Sequence, residues 1–424
     1  MTFKPFIANQ RVLWASLAGT TIEFYDFYIY ATAASLVFGP SFFPASSPSA
    51  QLMSAYASFS LAFIARPLGS LVFGHFGDRI GRKSTLVASL LFMGLSTVAI
   101  AFLPTYQMAG WIAPLALCIL RFGQGFGLGG EWGGAALLAV ENAPPAYRSR
   151  FGMVPQLGAP LGFILANGLF LLLGMALTDE QFSSWGWRLP FLASALLVGV
   201  GLWVRLKLTE TPAFAAAMAE APPARVPIAD VMRNYPREVI GGTFAGIACF
   251  AIFYITTAFA LGYGTTTLGH PRESFLMVQL GSIVFMAVGI IASGMLSDRF
   301  TGRHVLMAGC IGAASVGFLM APMMGGGSLL MTWLFLSIAL VMMGMTYGPL
   351  GAWLPGLFPA RVRYSGASIA FNVGGILGGA LTPIVAQALA ASGGLSAVGY
   401  YLSAAAAISF VALAALQPRK STAL

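Results

Sequence analysis

Long apolar runs alternate with short polar turns along the whole chain. Each run holds about 20 mostly apolar residues, which is the length an α-helix needs to cross a bilayer. We predict twelve spanning helices, over residues 13–38, 52–76, 84–103, 111–138, 151–174, 187–206, 239–262, 274–297, 304–322, 329–350, 364–391 and 396–416. The pattern therefore predicts an all-α membrane protein with twelve transmembrane helices.

Composition supports a surface that faces lipid. Hydrophobic residues make up 58% of the chain and charged residues 8%, whereas soluble domains carry about 25% charged residues. The net charge of +9 is spread over short clusters between apolar runs, which argues against a nucleic-acid partner. The histidines lack the spacing of metal ligands and the cysteines lie inside apolar runs. We therefore expect membrane lipid as a partner, and neither a metal site nor a bound cofactor.

Basic residues predict the direction of the helices. They concentrate in alternate connections, from Lys4 and Arg11 at one end to Arg419 and Lys420 at the other. The opposite connections hold mainly Arg272. Because loops rich in Lys and Arg stay in the cytoplasm, we predict a multi-pass protein of a bacterial inner (plasma) membrane with both termini cytoplasmic.

The second half of the chain repeats features of the first. Similar loops follow the second and eighth runs, and their aspartates Asp78 and Asp298 lie about half the chain apart. We predict a six-helix bundle over 1–207, a cytoplasmic linker over 208–237 and a second bundle over 238–424. Such duplicated bundles are typical of transporters that bind substrate between the halves.

These motifs resemble those of a known family. The stretch Gly74-His-Phe-Gly-Asp78-Arg79-Ile-Gly81-Arg82-Lys83 resembles the signature loop of the major facilitator superfamily. Further motifs resemble the metabolite:proton symporters, the group of α-ketoglutarate, citrate, shikimate and proline/betaine permeases. They are Glu23-Phe-Tyr-Asp26, Arg66-Pro67-Leu-Gly69, Arg121-Phe-Gly-Gln124-Gly125 and Trp187-Arg188-Leu-Pro190. The resemblance implies the major facilitator fold and proton-coupled transport, with no enzymatic activity.

The cytoplasmic loops contain a candidate gate. Acidic and basic side chains there could pair when the cytoplasmic side is shut and separate when it opens. An alternative is that the basic residues only hold the helices in register. The candidate gating residues are Gly74, Asp78, Arg79, Gly81, Arg82, Glu141, Asp298 and Arg299.

Charged residues within the membrane are all predicted in the first half. They are Glu23, Asp26, Arg66, Arg121 and Glu131. Because such charges are costly, they are candidates for function. We interpret Asp26, Glu23 and Glu131 as proton-coupling candidates. A static ion pair of Asp26 or Glu23 with Arg121 is the alternative. The role of Arg66 stays open between the membrane interior and the cytoplasmic gate.

Other side chains could complete a substrate pocket. Arg121 could hold an anionic group with its guanidinium fork. The other candidates are Tyr28, Gln156, Tyr254, Gln279, Asn372 and Trp353. For each of these, helix packing or an interhelical hydrogen bond is an equally simple role.

The sequence therefore favours a secondary active transporter. Our leading hypothesis is proton-coupled uptake of a small organic acid, a mono- or dicarboxylate, by alternating access. Protons are the coupling ion. Symport of a zwitterion such as a betaine, and drug efflux, are alternatives. An enzyme or a sensor is disfavoured because neither a catalytic constellation nor a soluble domain is visible.

Overall fold

The computed structural model describes residues 9–44, 47–80, 82–129, 131–206, 227–359 and 362–416. For residues 74–80, 82–86, 204–205 and 227–228 it describes the backbone alone. Within these ranges the chain is mostly helical and forms no strand. The helical runs follow the predicted order, so the prediction of an all-α membrane protein is confirmed.

The first half contributes six helical runs, which we label α1 to α6. Their bounds are Gln10–Ala33 (α1, continued by Ala34–Phe38 and Gly39–Phe42), Pro48–Ile80 (α2), Arg82–Ile100 (α3), Ile112–Leu128 (α4, continued by Glu131–Glu141), Arg148–Gln156 with Gly158–Ala176 (α5) and Leu189–Leu206 (α6). Short helices at Tyr106–Ala109 and Asp179–Ser184 connect some of them.

The second half contributes six more runs after a short helix, Pro227–Asn234. Their bounds are Pro236–Tyr254 (α7, continued by Ile255–Phe259 and Ala260–Thr266), Arg272–Phe300 (α8), Gly302–Met324 (α9), Leu329–Tyr347 (α10, followed by Leu350–Trp353), Arg363–Gly375 (α11, continued by Ile376–Ala380) and the long helix Thr382–Ala415. Gly394 interrupts that long helix with a φ of 65°. The part before Gly394 extends α11, and residues 395–415 form α12.

The described helices are suited to a bilayer. By length and composition, nine helical stretches within the described ranges could each cross a membrane, and one of them, Arg363–Ala415, has 53 residues. At 1.5 Å per residue that stretch is long enough for two crossings, in agreement with the break at Gly394. The predicted division at residues 207/208 and 237/238 stays a prediction, and 207–226 lie outside the described residues.

Glycines allow α2 and α4 to pack unusually closely. A Cβ atom on Gly125 would lie 2.2 Å from the Ala62 carbonyl oxygen, and one on Gly129 would lie 2.1 Å from the Arg66 carbonyl oxygen. Since no side chain fits at either position, the two backbones can touch. This contact holds Arg66 and Arg121 on neighbouring helices inside the first half.

Candidate functional site

A cavity lies between the two halves. Helices α1, α2 and α5 form one wall, and α7, α10 and α11 form the other. Its lining is mainly aromatic and contains two charged side chains. The lining residues are Glu23, Phe24, Tyr28, Arg66, Ala159, Cys249, Phe250, Phe253, Tyr254, Met343, Tyr347 and Phe371.

Arg66 supplies the positive charge of this cavity. Its side chain is 6% exposed. The guanidinium carbon lies 4.5 Å from the ring centre of Phe27 and 4.9 Å from that of Phe63. Its Nε is buried without a hydrogen-bond partner among the described residues. The rings therefore support the cation and leave N–H donor capacity unused.

Glu23 supplies the negative charge. It lies on α1 and is 4% exposed. Phe24 and Tyr28 from the same helix line the cavity beside it. The cavity thus combines one acid and one base with a largely aromatic wall.

Asp26 is fully buried one turn away, behind the cavity wall. Its Oδ1 accepts a hydrogen bond of 2.5 Å from the Ser194 hydroxyl on α6. Its Oδ2 has no hydrogen-bond partner in the described part of the chain. A carboxylate held in this way, without a cation, is costly inside a membrane.

Arg121 lies near Asp26 but does not form an ion pair with it. Both residues are described, and the described ion pairs do not include them. Instead, the guanidinium donates to Gln124 Oε1 and lies 4.0 Å from the Tyr30 ring centre. Gln124 Nε2 in turn donates to the Asp26 carbonyl oxygen at 2.8 Å. The direct pair of Asp26 and Arg121 that we considered from the sequence is therefore absent from the described contacts, and Gln124 links Arg121 to the main chain of Asp26 rather than to its carboxylate.

Arg121 is also absent from the lining of the central cavity. Its guanidinium is enclosed by the rings of Phe27, Tyr30 and Phe59. In this conformation it does not reach the space where a substrate would bind. The predicted contact between Arg121 and substrate stays a prediction.

Glu131 is buried on the continuation of α4. It is 2% exposed and its Oε1 accepts a hydrogen bond of 2.9 Å from the Ser89 hydroxyl on α3. It lies outside the lining of the central cavity. Its predicted role in proton coupling is not tested by this position.

The predicted pocket residues separate into three groups. Tyr28 and Tyr254 line the central cavity. Gln279 lines a second cavity, which Tyr28 also borders, and its Nε2 donates to the carbonyls of Thr256 and Thr257. The third group, which comprises Gln156, Asn372 and Trp353, does not line the central cavity.

Contacts between the halves close one end of the cavity, which we call the inner end because its charges predict that it faces the cytoplasm. Trp132 and Phe371 stack with ring centres 3.6 Å apart. Gln156 Nε2 donates to the Tyr347 carbonyl at 3.1 Å, and Asn372 Nδ2 donates to the Gly129 carbonyl at 3.3 Å. Two of the predicted pocket residues therefore belong to this closure.

Asp298 adds an ionic contact at the inner end. Its Oδ2 lies 3.0 Å from Arg150 Nε, and its Oδ1 accepts a 3.0 Å hydrogen bond from the Ser149 backbone N–H. The second copy of the signature loop thus contacts the start of α5 in the first half. The neighbouring Arg299 is exposed, and Trp353 packs beside Gly302 at the start of α9.

The first copy of the loop cannot be compared in the same way. Gly81 lies outside the described residues, as do the side chains of Asp78, Arg79 and Arg82 and the surroundings of Gly74. Glu141 is described and ends the continuation of α4. The gating roles of these residues stay predictions.

Hydrogen bonds between the halves also close the opposite, outer end. The Tyr56 hydroxyl on α2 donates to the Ala258 carbonyl at 2.7 Å, and the Ser60 hydroxyl donates to the Ala380 carbonyl at 2.6 Å. Both acceptors lie in π-helical turns, at Ile255–Phe259 and Ile376–Ala380. Such turns interrupt regular helical hydrogen bonding and are frequent at functional positions.

An ion pair joins the halves at the surface of the outer end. Arg272 Nη2 lies 3.1 Å from Asp179 Oδ1, and the Arg272 guanidinium carbon lies 3.9 Å from the Phe182 ring centre. Contacts between the halves are thus present at both ends of the central cavity. Such contacts on both sides are expected at an intermediate stage when two halves rock about a central site.

Several residues of the site were not identified from the sequence. Gln124 could have been, because it lies three positions after Arg121 and so shares its helix face. Ser194 and Ser60 carry no such signal, since serine hydroxyls in membrane helices often bond to their own backbone, and nothing in the sequence marks the partner of Tyr56. Their contacts depend on how α6, α7 and α11 pack.

Comparisons with known proteins agree with this architecture. Residues 12–239 match the family model described as sugar (and other) transporter. The chain is 48% identical over 417 residues to an inner membrane metabolite transport protein, YhjE, of Escherichia coli (97% of this chain, 94% of the relative). It is 37% identical over 407 residues to the shikimate transporter of that species (94% and 92%).

A solved structure shows the same fold. The partially occluded, inward-open xylose transporter XylE from E. coli superposes with a TM-score of 0.75 at 15% identity, covering 98% of this chain and 99% of that one. The family match and the relatives are membrane transporters and not enzymes. The chain therefore belongs to the sugar (and other) transporter family of the major facilitator superfamily, within its metabolite transporters.

Proposed function

We propose that the chain takes up a small organic anion together with protons by alternating access. The observation that carries this proposal is the pairing of two sites in the first half. A cationic cavity wall at Arg66 suits an anion, and the buried carboxyl of Asp26 lies one layer behind it. One site would hold substrate and the other a proton.

Asp26 suits a proton site because its environment does not neutralise a negative charge. Ser194 donates a single hydrogen bond, and the described residues place no cation in an ion pair with Asp26. Adding a proton removes the buried charge, and losing it restores the charge. Since Asp26 lies on α1 and its hydrogen-bond donor Ser194 lies on α6, movement between these helices would change the balance between the protonated and ionised forms of Asp26.

The closures at both ends support the alternating-access part of the proposal. The outer contacts consist mainly of hydroxyl-to-carbonyl hydrogen bonds, and the inner ones combine an aromatic stack with an ionic contact. Each set must break for the cavity to open to its side. Among the relatives, the shikimate transporter is named for an organic acid.

Zwitterion symport is the second candidate, and Glu23 is the observation that favours it. Its carboxyl shares the cavity with Arg66 and several aromatic rings. An ammonium group could lie against those rings while a carboxylate meets Arg66. A proline/betaine transporter of E. coli is 28% identical to the chain over 413 residues.

The experiment is uptake into proteoliposomes under imposed gradients. Labelled shikimate and labelled glycine betaine are the two probes, each assayed with an acidic exterior, without a gradient and with a protonophore. We expect shikimate to accumulate only with the acidic exterior and the protonophore to abolish accumulation. Uptake that is indifferent to the gradient would refute proton coupling, and accumulation of betaine alone would favour the second candidate.

A further inference from the structure

The charges of the central cavity restrict the substrate more narrowly than transport of an organic anion does. Arg66 is the single cation among the described lining residues and Glu23 the single anion. The other lining residues are aromatic or small and mostly apolar. A ligand in this space therefore meets one positive group, one negative group and many ring faces.

Arg66 is built to receive a carboxylate. Phe27 and Phe63 hold its guanidinium from the side of the protein. Its buried Nε lacks a hydrogen-bond partner in the described part of the chain, and the described ion pairs do not include it. Buried donors of a cation are costly when unfilled, and a guanidinium can bind a carboxylate with two parallel hydrogen bonds.

Arg121 also has a buried nitrogen, Nη2, without a hydrogen-bond partner among the described residues, but it differs from Arg66 in its other hydrogen bonds and in its position. Its guanidinium donates to Gln124 Oε1 and to the Phe59 carbonyl at 3.4 Å. Three rings enclose it, and it does not line the cavity. The cation that can reach a substrate in this conformation is Arg66.

Glu23 limits how many carboxylates the cavity accepts. A second ionised carboxylate would share the cavity with the buried Glu23 carboxyl, and the two repel each other when Glu23 is ionised. A hydroxyl, an ammonium or an apolar group would not meet that repulsion. The aromatic walls at Tyr28, Phe253 and Tyr254 can pack against such a body.

We infer that Arg66 binds the carboxylate of a substrate that carries only one, and that the cavity rejects di- and tricarboxylates. The inference rests on the proposed transport of an organic anion and narrows it to monocarboxylates. A hydroxylated monocarboxylate and a zwitterion both carry this single carboxylate. Arg66 would be the contact that distinguishes an acid from its uncharged ester.

Ligand-induced thermal stabilisation of the purified full chain tests the inference without requiring transport. The probes are shikimate, its methyl ester, glycine betaine, succinate and citrate, titrated at one pH and ionic strength. We expect shikimate, betaine or both to raise Tm, and the ester, succinate and citrate to leave it unchanged. Stabilisation by succinate or citrate equal to that by the best monocarboxylate would overturn the inference, as would a response to the ester alone or to none of the acids.

Variants assign the effect to Arg66. Arg66→Gln should weaken the apparent Kd of the responding monocarboxylate by about 10- to 100-fold, the usual loss of a charge-assisted contact. Arg66→Lys keeps the charge and loses the bidentate geometry of the guanidinium, so its Kd should lie between those of Arg66→Gln and wild type. If Arg66→Gln fails to fold, Arg66→Lys alone tests the assignment. Arg233→Gln is the matched control, because Arg233 is exposed on the helix Pro227–Asn234.

The outcomes separate this inference from the proposed function. A wild-type-like Kd in both Arg66 variants would overturn the assignment of Arg66 even if proton-driven uptake stands. Conversely, uptake that ignores the proton gradient would refute coupling while leaving the binding series intact. Stabilisation by betaine alone would keep the Arg66 contact and identify a zwitterion as the substrate.

Discussion

Asp26→Asn tests whether the buried acid on α1 couples substrate to protons. The substitution keeps the shape of the side chain and removes its ability to carry a negative charge. The amide oxygen of the introduced asparagine can still accept the hydrogen bond that the Ser194 hydroxyl donates to Oδ1. The variant therefore resembles a permanently protonated Asp26.

The structure limits the cost in stability. Breaking a buried ion pair typically costs about 3–5 kcal/mol, but the described residues contain no ion pair of Asp26 with Arg121. The change replaces a charged acceptor by a neutral one at Ser194 and places an amide where Oδ2 had no partner. Each effect is on the order of 1 kcal/mol, so we expect a loss of about 2 kcal/mol or less and normal expression.

Two transport assays on one preparation then separate the roles. Counterflow exchange of a labelled substrate between equal concentrations needs no proton release, so Asp26→Asn should retain it. Accumulation driven by an acidic exterior should vanish. Ser194→Ala is a useful companion, because it removes the donor to Oδ1 and should alter the pH dependence of accumulation without abolishing it.

Three results would refute this reasoning. A well-folded Asp26→Asn protein that still accumulates substrate normally would exclude Asp26 as the coupling acid and direct attention to Glu23 or Glu131. Loss of exchange together with accumulation would indicate that Asp26 is needed for the conformational cycle itself. A loss of stability in the range of a broken ion pair would mean that Asp26 and Arg121 interact more directly than the structure shows.

Two further substitutions should shift the conformational equilibrium in opposite directions, one toward opening at the inner end and the other toward opening at the outer end. Asp298→Asn removes the ionic contact with Arg150 at the inner end while keeping an acceptor for Ser149, and a loss of about 1 kcal/mol should favour inner opening about fivefold. The rate at which cysteines at the inner end are labelled should rise, while the Kd for substrate should change less than about threefold, because the same shift in population limits both. Unchanged labelling rates would contradict the assignment of Asp298 to the inner closure. Tyr56→Phe removes the hydroxyl bonded to the Ala258 carbonyl and should favour outer opening by a similar factor. The rate at which cysteines at the outer end are labelled measures this opening. Tyr263→Phe, on the neighbouring helix Ala260–Thr266, is the matched control.

The sequence was sufficient to predict the helices and the charged residues within the membrane, but not the distances between those charged residues and the cavity. Apolar runs of bilayer length predict twelve helices, because lipid allows few other folds. The same reasoning placed Arg66 and Arg121 inside the membrane. It could not tell which of them faces the cavity, because that depends on the rotation of α2 and α4 about their axes. The contact through Gly125 and Gly129 sets this rotation, and it places Arg66 on the cavity wall and Arg121 among rings.

The repeat itself explains why the charge chemistry lies in one half. Aligning Phe24–Ile29 of α1 with Phe250–Ile255 of α7 pairs Phe24 with Phe250 and Tyr28 with Tyr254, and all four of these residues line the cavity. The same alignment pairs Glu23 with Cys249, and both of these residues also line the cavity.

The two helices thus contribute the same positions to the cavity, but only α1 carries acids there. At the position behind the wall, fully buried Asp26 corresponds to fully buried Ile252. Packing alone is satisfied by Cys249 and Ile252, so packing does not require Glu23 or Asp26. Because a buried acid is costly where an apolar residue suffices, the retention of both acids in α1 is best explained by their action on protons or substrate. A rocking motion of the two halves would then change the surroundings of these acids, while α7 supplies an uncharged surface against which they move.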